Sequence, residues 1–257
     1  ETGSFRDLYD LIQANTDGVI NLDKDYTYSG EGDINYILIN KPITINGNGH
    51  VLNGDNQKLI AYIPAAGSGT ILNNITFVNG NYTSGPGALW LAGSNCVINN
   101  SVFDSNTGAY SGVAYVTRSA SNNQFVNCNF TNNNGNYGGV LYMLASNAKF
   151  DNCDFTGSNF QYCYFTDAEF FNKSIIHSAN FSHSVFVDCK FENMSIKQST
   201  FYDCYFENCT FLDSEIKSIT LENSVMCKCT ILNINLSELN LDFLRFDNIH
   251  MENVLLP

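Results

Sequence analysis

Nine cysteines, four histidines and 25 carboxylates are the residues of this 257-residue chain that could do chemistry. Their spacing assigns most of them to packing instead. Seven cysteines (Cys128, Cys153, Cys163, Cys189, Cys204, Cys209 and Cys229) stand two places before a large apolar residue. In such a slot an unpaired thiol acts as a small hydrophobe. Cys209 and Cys229 would approach bridging distance on successive layers, yet parallel side chains do not supply the roughly 90° dihedral of a disulfide. Cys96 and Cys227 are read as lying off this series and as free thiols. Zinc needs four converging ligands, whereas "CKC" at 227–229 sends its two thiols to opposite faces. His50, His177, His183 and His250 fall in unrelated positions. No metal site, no cofactor and no catalytic residue are expected.

A lyase would need a carboxylate cluster with a nearby base, and a hydrolase two carboxylates across a groove. Asp104 is the natural place to look, but its aligned neighbours are Val78 and Thr131, so it stands alone. The chain is therefore expected not to be an enzyme, with a polysaccharide lyase or hydrolase as an alternative. An aromatic set suggests binding instead. In "ALWL", "VAYV" and "VLYM", alternation puts Leu89, Leu91, Val116, Leu141 and Met143 on one side and Trp90, Tyr115 and Tyr142 on the other. If the first set is core, the second forms an exposed ladder able to hold sugars or an aromatic-rich partner surface. The competing reading packs those rings beneath a turn such as 79–87.

The sequons begin at Asn74, Asn81, Asn99, Asn129, Asn172, Asn180, Asn193, Asn208 and Asn235. Fewer than half are expected to be exposed, and Asn81, Asn172 and Asn193 are the glycosylation candidates, in a secreted protein only. Asn74, Asn100, Asn127 and Asn152 align three places before a large Phe and predict an internal asparagine ladder.

Two repeats must position these residues. Phe77, Phe103, Phe130 and Phe155 lie 26, 27 and 25 residues apart, a coil of about 26 residues with short β runs and Gly and Asn turns. From Phe171 the period is five: Phe171, Ile176, Phe181, Phe186 and onward to Leu256, with Phe150, Phe155, Phe160 and Phe165 offset by one inserted residue. Five residues on a helix turn a side chain by about 500°, so no apolar face would form. On a flat strand, odd spacing would alternate faces. The chain must turn a corner in every unit, and four corners close a coil of about 20 residues at ~4.8 Å per layer. Asn193, Asn208, Asn223, Asn233, Asn248 and Asn253 fall two places after the large residue, where a turn conformation is needed.

Ser4 and Asp7 have capping-box spacing, and Phe5, Leu8, Leu11 and Ile12 would share one face of a short helix that covers the first coil. No comparable cap follows Leu256, so the natural chain is expected to be longer. The expected organisation is "ETG" (1–3) as a cloning remnant behind a removed export signal, a cap helix (4–18), a parallel β-helix (19–149) and a narrower continuous solenoid (150–257). A net charge of −13 argues against nucleic acid or anionic membranes as ligands. No apolar run approaches the roughly 20 residues of a membrane span, so direct membrane insertion is not expected either.

The units of five, such as "ANFSH" (179–183), resemble the pentapeptide-repeat family and imply a quadrilateral β-helix, although Val185, Lys190 and Tyr205 depart from its middle Asn or Asp. "FRDLYDLIQANTDGVINLDKDYTY", "ILINKPITINGNGHVLNG" and "PGALWL" resemble adhesin-like surface proteins of methanogenic archaea, similar in turn to pectate-lyase-like right-handed β-helices. The joint implication is an all-β, right-handed parallel β-helix running into a pentapeptide-type solenoid. The adhesin resemblance further implies a non-catalytic extracellular adhesin or stalk at the cell surface, glycosylated and partnered by surface glycans or proteins of other cells. The pentapeptide resemblance supplies an alternative, an acidic DNA mimic that inhibits a topoisomerase. Residues 150–257 carry 15 acidic against 6 basic side chains, a net of −9.

Overall fold

Three-residue strands separated by corners stack into an all-β parallel solenoid. The structure is a computed structural model that describes residues 2–135, 140–143, 148–158, 160–161 and 164–257. One sheet of eleven strands runs the length of the molecule from Val19–Asn21 to His250–Glu252. Its register measures the coil. Val19 pairs with Thr44, Thr44 with Ile71, Ile71 with Val97, Val97 with Gln124 and Gln124 with Lys149, which are steps of 25, 27, 26, 27 and 25 residues. Lys149 then pairs with Glu169 and Glu169 with Lys190, steps of 20 and 21. Two further steps of 20 reach Thr230 through Thr210. The girth narrows while the sheet continues.

Most three-residue strands turn their middle residue or their two flanking residues inward, and many of the corners between strands hold a residue with left-handed backbone. Asn193, Asn208, Asn223, Asn233, Asn248 and Asn253 all have φ between 52° and 58°. Asn tolerates that region because its short polar side chain can hydrogen-bond locally. Asn208→Val is expected to cost about 1–2 kcal/mol, the price of a left-handed L-residue made worse by β-branching. Asn208→Gly should stay near wild type, a contrast that urea denaturation measures.

The five-residue series is inward over most of its length but departs at its last coil, where Phe246 is 37% and Leu256 50% exposed, and at Phe171. Phe171 is only half-buried and faces outward, whereas Phe170 is fully buried. Phe170 stacks between Phe150 and Phe191 at centroid distances of 4.8 and 5.1 Å. The inserted residue is absorbed later, at a corner where both Asn172 and Lys173 have positive φ (52° and 69°). Two adjacent phenylalanines are alike to a periodicity argument, and the wider corner decides between them.

The core is built of parallel ring columns. Phe77, Phe103, Phe130 and Phe155 stack at 4.7, 5.3 and 4.9 Å. Phe160, Phe181 and Phe201 form another at 4.4 and 4.9 Å. Offset rings at these distances contribute about 0.5–1.5 kcal/mol per pair beyond burial.

At the N-terminus Ser4 Oγ accepts from the Asp7 N–H (3.1 Å), and Asp7 Oδ2 accepts from the Ser4 N–H (2.7 Å). This closes the capping box of the helix Phe5–Ala14. Phe5, Leu8 and Ile12 are buried, but Leu11 is 41% exposed, because it lies at the edge of the stripe they form. Asp33 docks the helix, accepting from the N–H groups of Phe5 (3.1 Å) and Arg6 (2.8 Å) as well as Ser29 and Ile34. Burial pushes the Asp33 carboxyl up, and those four donors outweigh it, holding it below the usual carboxylate range.

Candidate binding face

A five-stranded sheet in the order Leu141–Met143, Ala114–Val116, Leu89–Leu91, Ala61–Ile63 and Ile37–Leu38 carries the aromatic set. Its alternation is as the sequence reads. Leu89, Leu91, Val116 and Leu141 are fully buried, while Trp90, Tyr115 and Tyr142 point outward and are half-buried. The Met143 side chain lies outside the described residues. Trp90 pairs with Tyr62 on one side and Tyr115 on the other, and Tyr115 with Tyr142. Tyr62 therefore belongs to the ladder, a member the sequence reading missed although "AYI" repeats the alternation of "LWL".

Ring centroids along the row are 5.6 Å (Tyr62 to Trp90), 5.7 Å (Trp90 to Tyr115) and 5.6 Å (Tyr115 to Tyr142). Trp90 is tilted by 56° and 58° to its neighbours, whereas Tyr115 and Tyr142 are near parallel at 21°. Tyr36 meets Tyr62 edge-on at 5.7 Å. The competing reading holds in part. A Cβ added to Gly85 in the 79–87 turn would lie 2.7 Å from the Tyr82 ring and 3.4 Å from Trp90. Tyr110 of the next coil packs edge-on against Tyr115 at 5.4 Å. Burial pushes the Tyr115 hydroxyl up, and Tyr142 and Tyr110 add to the shift. None of the five strands contains a charged residue.

The asparagine ladder predicted through Asn74, Asn100, Asn127 and Asn152 forms over its last three members, with Asn127 Nδ2 donating to Asn100 Oδ1 (3.1 Å) and Asn152 Nδ2 to Asn127 Oδ1 (2.9 Å), but it is not internal, because all four residues stand exposed at left-handed corners. A second, buried pair was not foreseen. Asn106 Oδ1 accepts from the Gly80 N–H (2.8 Å), and its Nδ2 lies 3.0 Å from both Phe77 O and Asn133 Oδ1. Of the sequon candidates, Asn172 and Asn193 are exposed at left-handed corners. Asn81 is half-buried, and its Nδ2 donates to Asn56 O at 3.1 Å.

Cys128, Cys153, Cys189, Cys204, Cys209 and Cys229 are buried in the inward slot, and Cys163 lies outside the described residues. Each thiol contacts a backbone carbonyl of the preceding coil, as Cys209 Sγ does with Phe186 O at 3.3 Å. Cys96 corrects the sequence reading. It is 1% exposed and occupies the same slot, two places before buried Ile98. Cys227 is half-exposed and faces outward. In the native protein at pH 8 Cys227 is expected to be the one described thiol that reacts promptly with Ellman's reagent, with the rest reacting after denaturation. Burial pushes Cys204 up to about 12 from 9.0. Its folded pKa lies above its unfolded one, so its contribution to stability is complete below pH 9 and is lost as pH rises toward 12. A melting temperature that starts to fall near pH 9 checks this.

Chemistry elsewhere is sparse. Asp104 pairs with Val78 and Thr131 as aligned, and it accepts from Thr131 Oγ1 (3.1 Å) and Asn132 Nδ2 (2.8 Å). His177 Nε2 lies 2.9 Å from Ser195 Oγ. The histidine–carboxylate pairs of the described residues are His50–Asp25 and His183–Asp203, so this serine–histidine pair has no acid to orient it. Among the described residues, no group of three or more metal-binding side chains converges.

Residues 145–216 match the family model for the pentapeptide repeat region. No curated protein sequence matches the chain. Among solved structures it is similar to the pentapeptide repeat protein Rfr23 of the cyanobacterium Cyanothece 51142, at 9% identity over 38% of this chain and 64% of that one, with a TM-score of 0.24. It is also similar to full-length QnrB1, a plasmid-mediated fluoroquinolone resistance protein, at 14% identity over 75% and 89% of the two chains, with a TM-score of 0.39. A third is the catalytic unit of a GH87 alpha-1,3-glucanase from Streptomyces thermodiastaticus, at 10% identity over 98% and 65%, with a TM-score of 0.34. The chain thus spans less than two thirds of the length of Rfr23 and of the glucanase unit.

Proposed function

We propose that this solenoid, whose residues 145–216 are a pentapeptide repeat region, is a non-catalytic binding rod of the cell exterior. It attaches to surface glycans or proteins of other cells. The observation that carries this reading is the row Tyr62, Trp90, Tyr115 and Tyr142, half-exposed on a sheet without a charged residue in a chain of net charge −13. Large rings left partly in water on a rigid surface are what a partner can bury. The stacked core supplies the rigidity, because Tyr62, Trp90 and Tyr115 project from strands paired in parallel on both sides and Tyr142 from the strand that ends the sheet. The test is binding of the labelled protein to glycan arrays, protein arrays and whole cells beside Trp90→Ala. The expected outcome is wild-type binding and a loss of roughly tenfold in the variant, the order of one aromatic anchor. Indifference of the wild type to every surface refutes the reading.

A second reading rests on the family match and on the net charge of −9 over residues 150–257. A repeat rod with excess carboxylates imitates duplex DNA and inhibits a topoisomerase. Several carboxylates there are interleaved with lysines, as in Lys190–Glu192 at 2.6 Å and Lys217–Glu215 at 3.0 Å, which breaks the line of negative charge that a duplex presents. Loss of gyrase supercoiling at micromolar protein would favour this reading, and unimpaired supercoiling would remove it.

A further inference from the structure

Beside the aromatic row lies a recess of about 340 Å3 between successive coils. Its aromatic walls are Tyr36 and Tyr82, and Asn56, Gln57, Lys58 and Asn81 supply its polar lining. Small-ligand sites begin near ~300 Å3, with apolar walls and a few placed polar groups, so this recess suits one sugar ring. Tyr36 connects it to the ladder through Tyr62, and Tyr82 connects it to Trp90 through Gly85.

The polar groups are partly held in place. Asn81 Nδ2 donates to Asn56 O (3.1 Å), which leaves its Oδ1 as an acceptor. Lys58 Nζ donates to Asn35 Oδ1 (2.9 Å) and sits 5.4 Å from the Tyr28 ring centroid, leaving further N–H donors on the ammonium. Gln57 Nε2 donates to Asp55 Oδ2 (2.7 Å), which leaves its Oε1 available. Thr83 adds a hydroxyl at the rim. Amides, a hydroxyl and an ammonium between two rings match alternating hydroxyls and C–H faces. The carboxylate nearest in sequence, Asp55, is occupied by Gln57.

We propose that this recess is a carbohydrate subsite that takes one pyranose of a neutral β-linked glycan, the rest of which runs along the solenoid axis onto the half-exposed ring of Trp90. The proposal rests on the binding-rod reading and names its ligand class. One β-linked pyranose advances by about the separation of neighbouring strands, so successive sugars keep step with successive coils. The uncharged strands of the ladder favour an uncharged chain over a uronate.

Trp90 is the single tryptophan of the chain, so its emission reports on the site directly. The probes are cellotetraose, laminaritetraose, chitotetraose, tetragalacturonate and a tyrosine-rich peptide, titrated into the full chain, Tyr82→Ala and Gln57→Ala. A saturable emission change is expected with at least one neutral tetrasaccharide, stronger than with its disaccharide. Tyr82→Ala should weaken it about tenfold and Gln57→Ala severalfold, with unchanged far-UV circular dichroism. Gln57 is exposed, which keeps the test valid if Tyr82→Ala fails to fold. Response to none of the neutral sugars, to tetragalacturonate alone or to the peptide alone overturns the proposal. So does equal binding by Gln57→Ala and wild type. Array binding that is lost in Trp90→Ala yet retained in both recess variants would sink the recess and leave the binding rod standing.

Discussion

Phe150→Ala should lower the stability of the whole chain by about 3–5 kcal/mol, the range for a buried aromatic truncated to alanine. Phe150 is fully buried where the wide coils meet the narrow ones. Its ring stacks on Phe125 at 5.4 Å and on Phe170 at 4.8 Å, and it meets Phe155 edge-on at 5.6 Å. Both halves lose a contact in this one truncation. Nearest-neighbour coupling carries stability along a solenoid, so denaturant unfolding should remain a single transition with a lower midpoint. Two separated transitions, or a loss below about 1 kcal/mol, the scale of a surface change, would mean that the halves are not coupled through this ring.

Asn106→Ala should be nearly as damaging, by roughly 2–6 kcal/mol, because it strands two buried backbone groups at ~1–3 kcal/mol each. Its side chain satisfies the Gly80 N–H and the Phe77 carbonyl, and it also meets Asn133. All of this happens at 0% exposure. Asn106→Asp should also destabilise at neutral pH, since it keeps the acceptor but removes the donor to Phe77 and buries a carboxylate. Lowering the pH to protonate that carboxylate should restore part of the loss. Asn122→Gly, which removes an exposed Nδ2 that meets Asn95 Oδ1 at 3.3 Å while glycine tolerates the local φ of 57°, is the control and should move stability by less. Equal effects at Asn106 and Asn122 would show that burial is not what gives the inner pair its weight.

The architecture was legible because it is periodic. An odd spacing of five excludes helix and flat strand together, which leaves a cornered coil, and the corner asparagines then fall where φ is positive. The inward cysteines followed from the same count, and the outward aromatics from strand alternation. Three residues depart from the sequence reading, each for its own reason. Phe171 was assigned inward because an insertion near two adjacent phenylalanines can be placed on either side of them. Only the double left-handed corner at Asn172 and Lys173 seats Phe170. Cys96 precedes Ile98 by two places just as Cys229 precedes Ile231, so the same count places it inward. Leu11 sits at the margin of its helical stripe, where the first coil and not the helix decides what is covered.

By itself the sequence determined that the chain coils, where it turns and which way most positions of each repeat face, since each follows from local spacing and backbone preference. Repeat alignment already placed Asp104 beside Val78 and Thr131, and tertiary structure alone decided the inter-coil contacts that the alignment does not reach. Tyr62 joining the aromatic row, Asn106 pairing with Asn133, and Tyr36 facing Tyr82 across a recess all depend on register between residues more than 25 positions apart. That register is set by where each corner places its variable residue, and outside the aligned stretch from Phe77 to Phe155 the coil length emerges only on stacking, as in the steps of 25 and 27 residues from Val19 through Thr44 to Ile71.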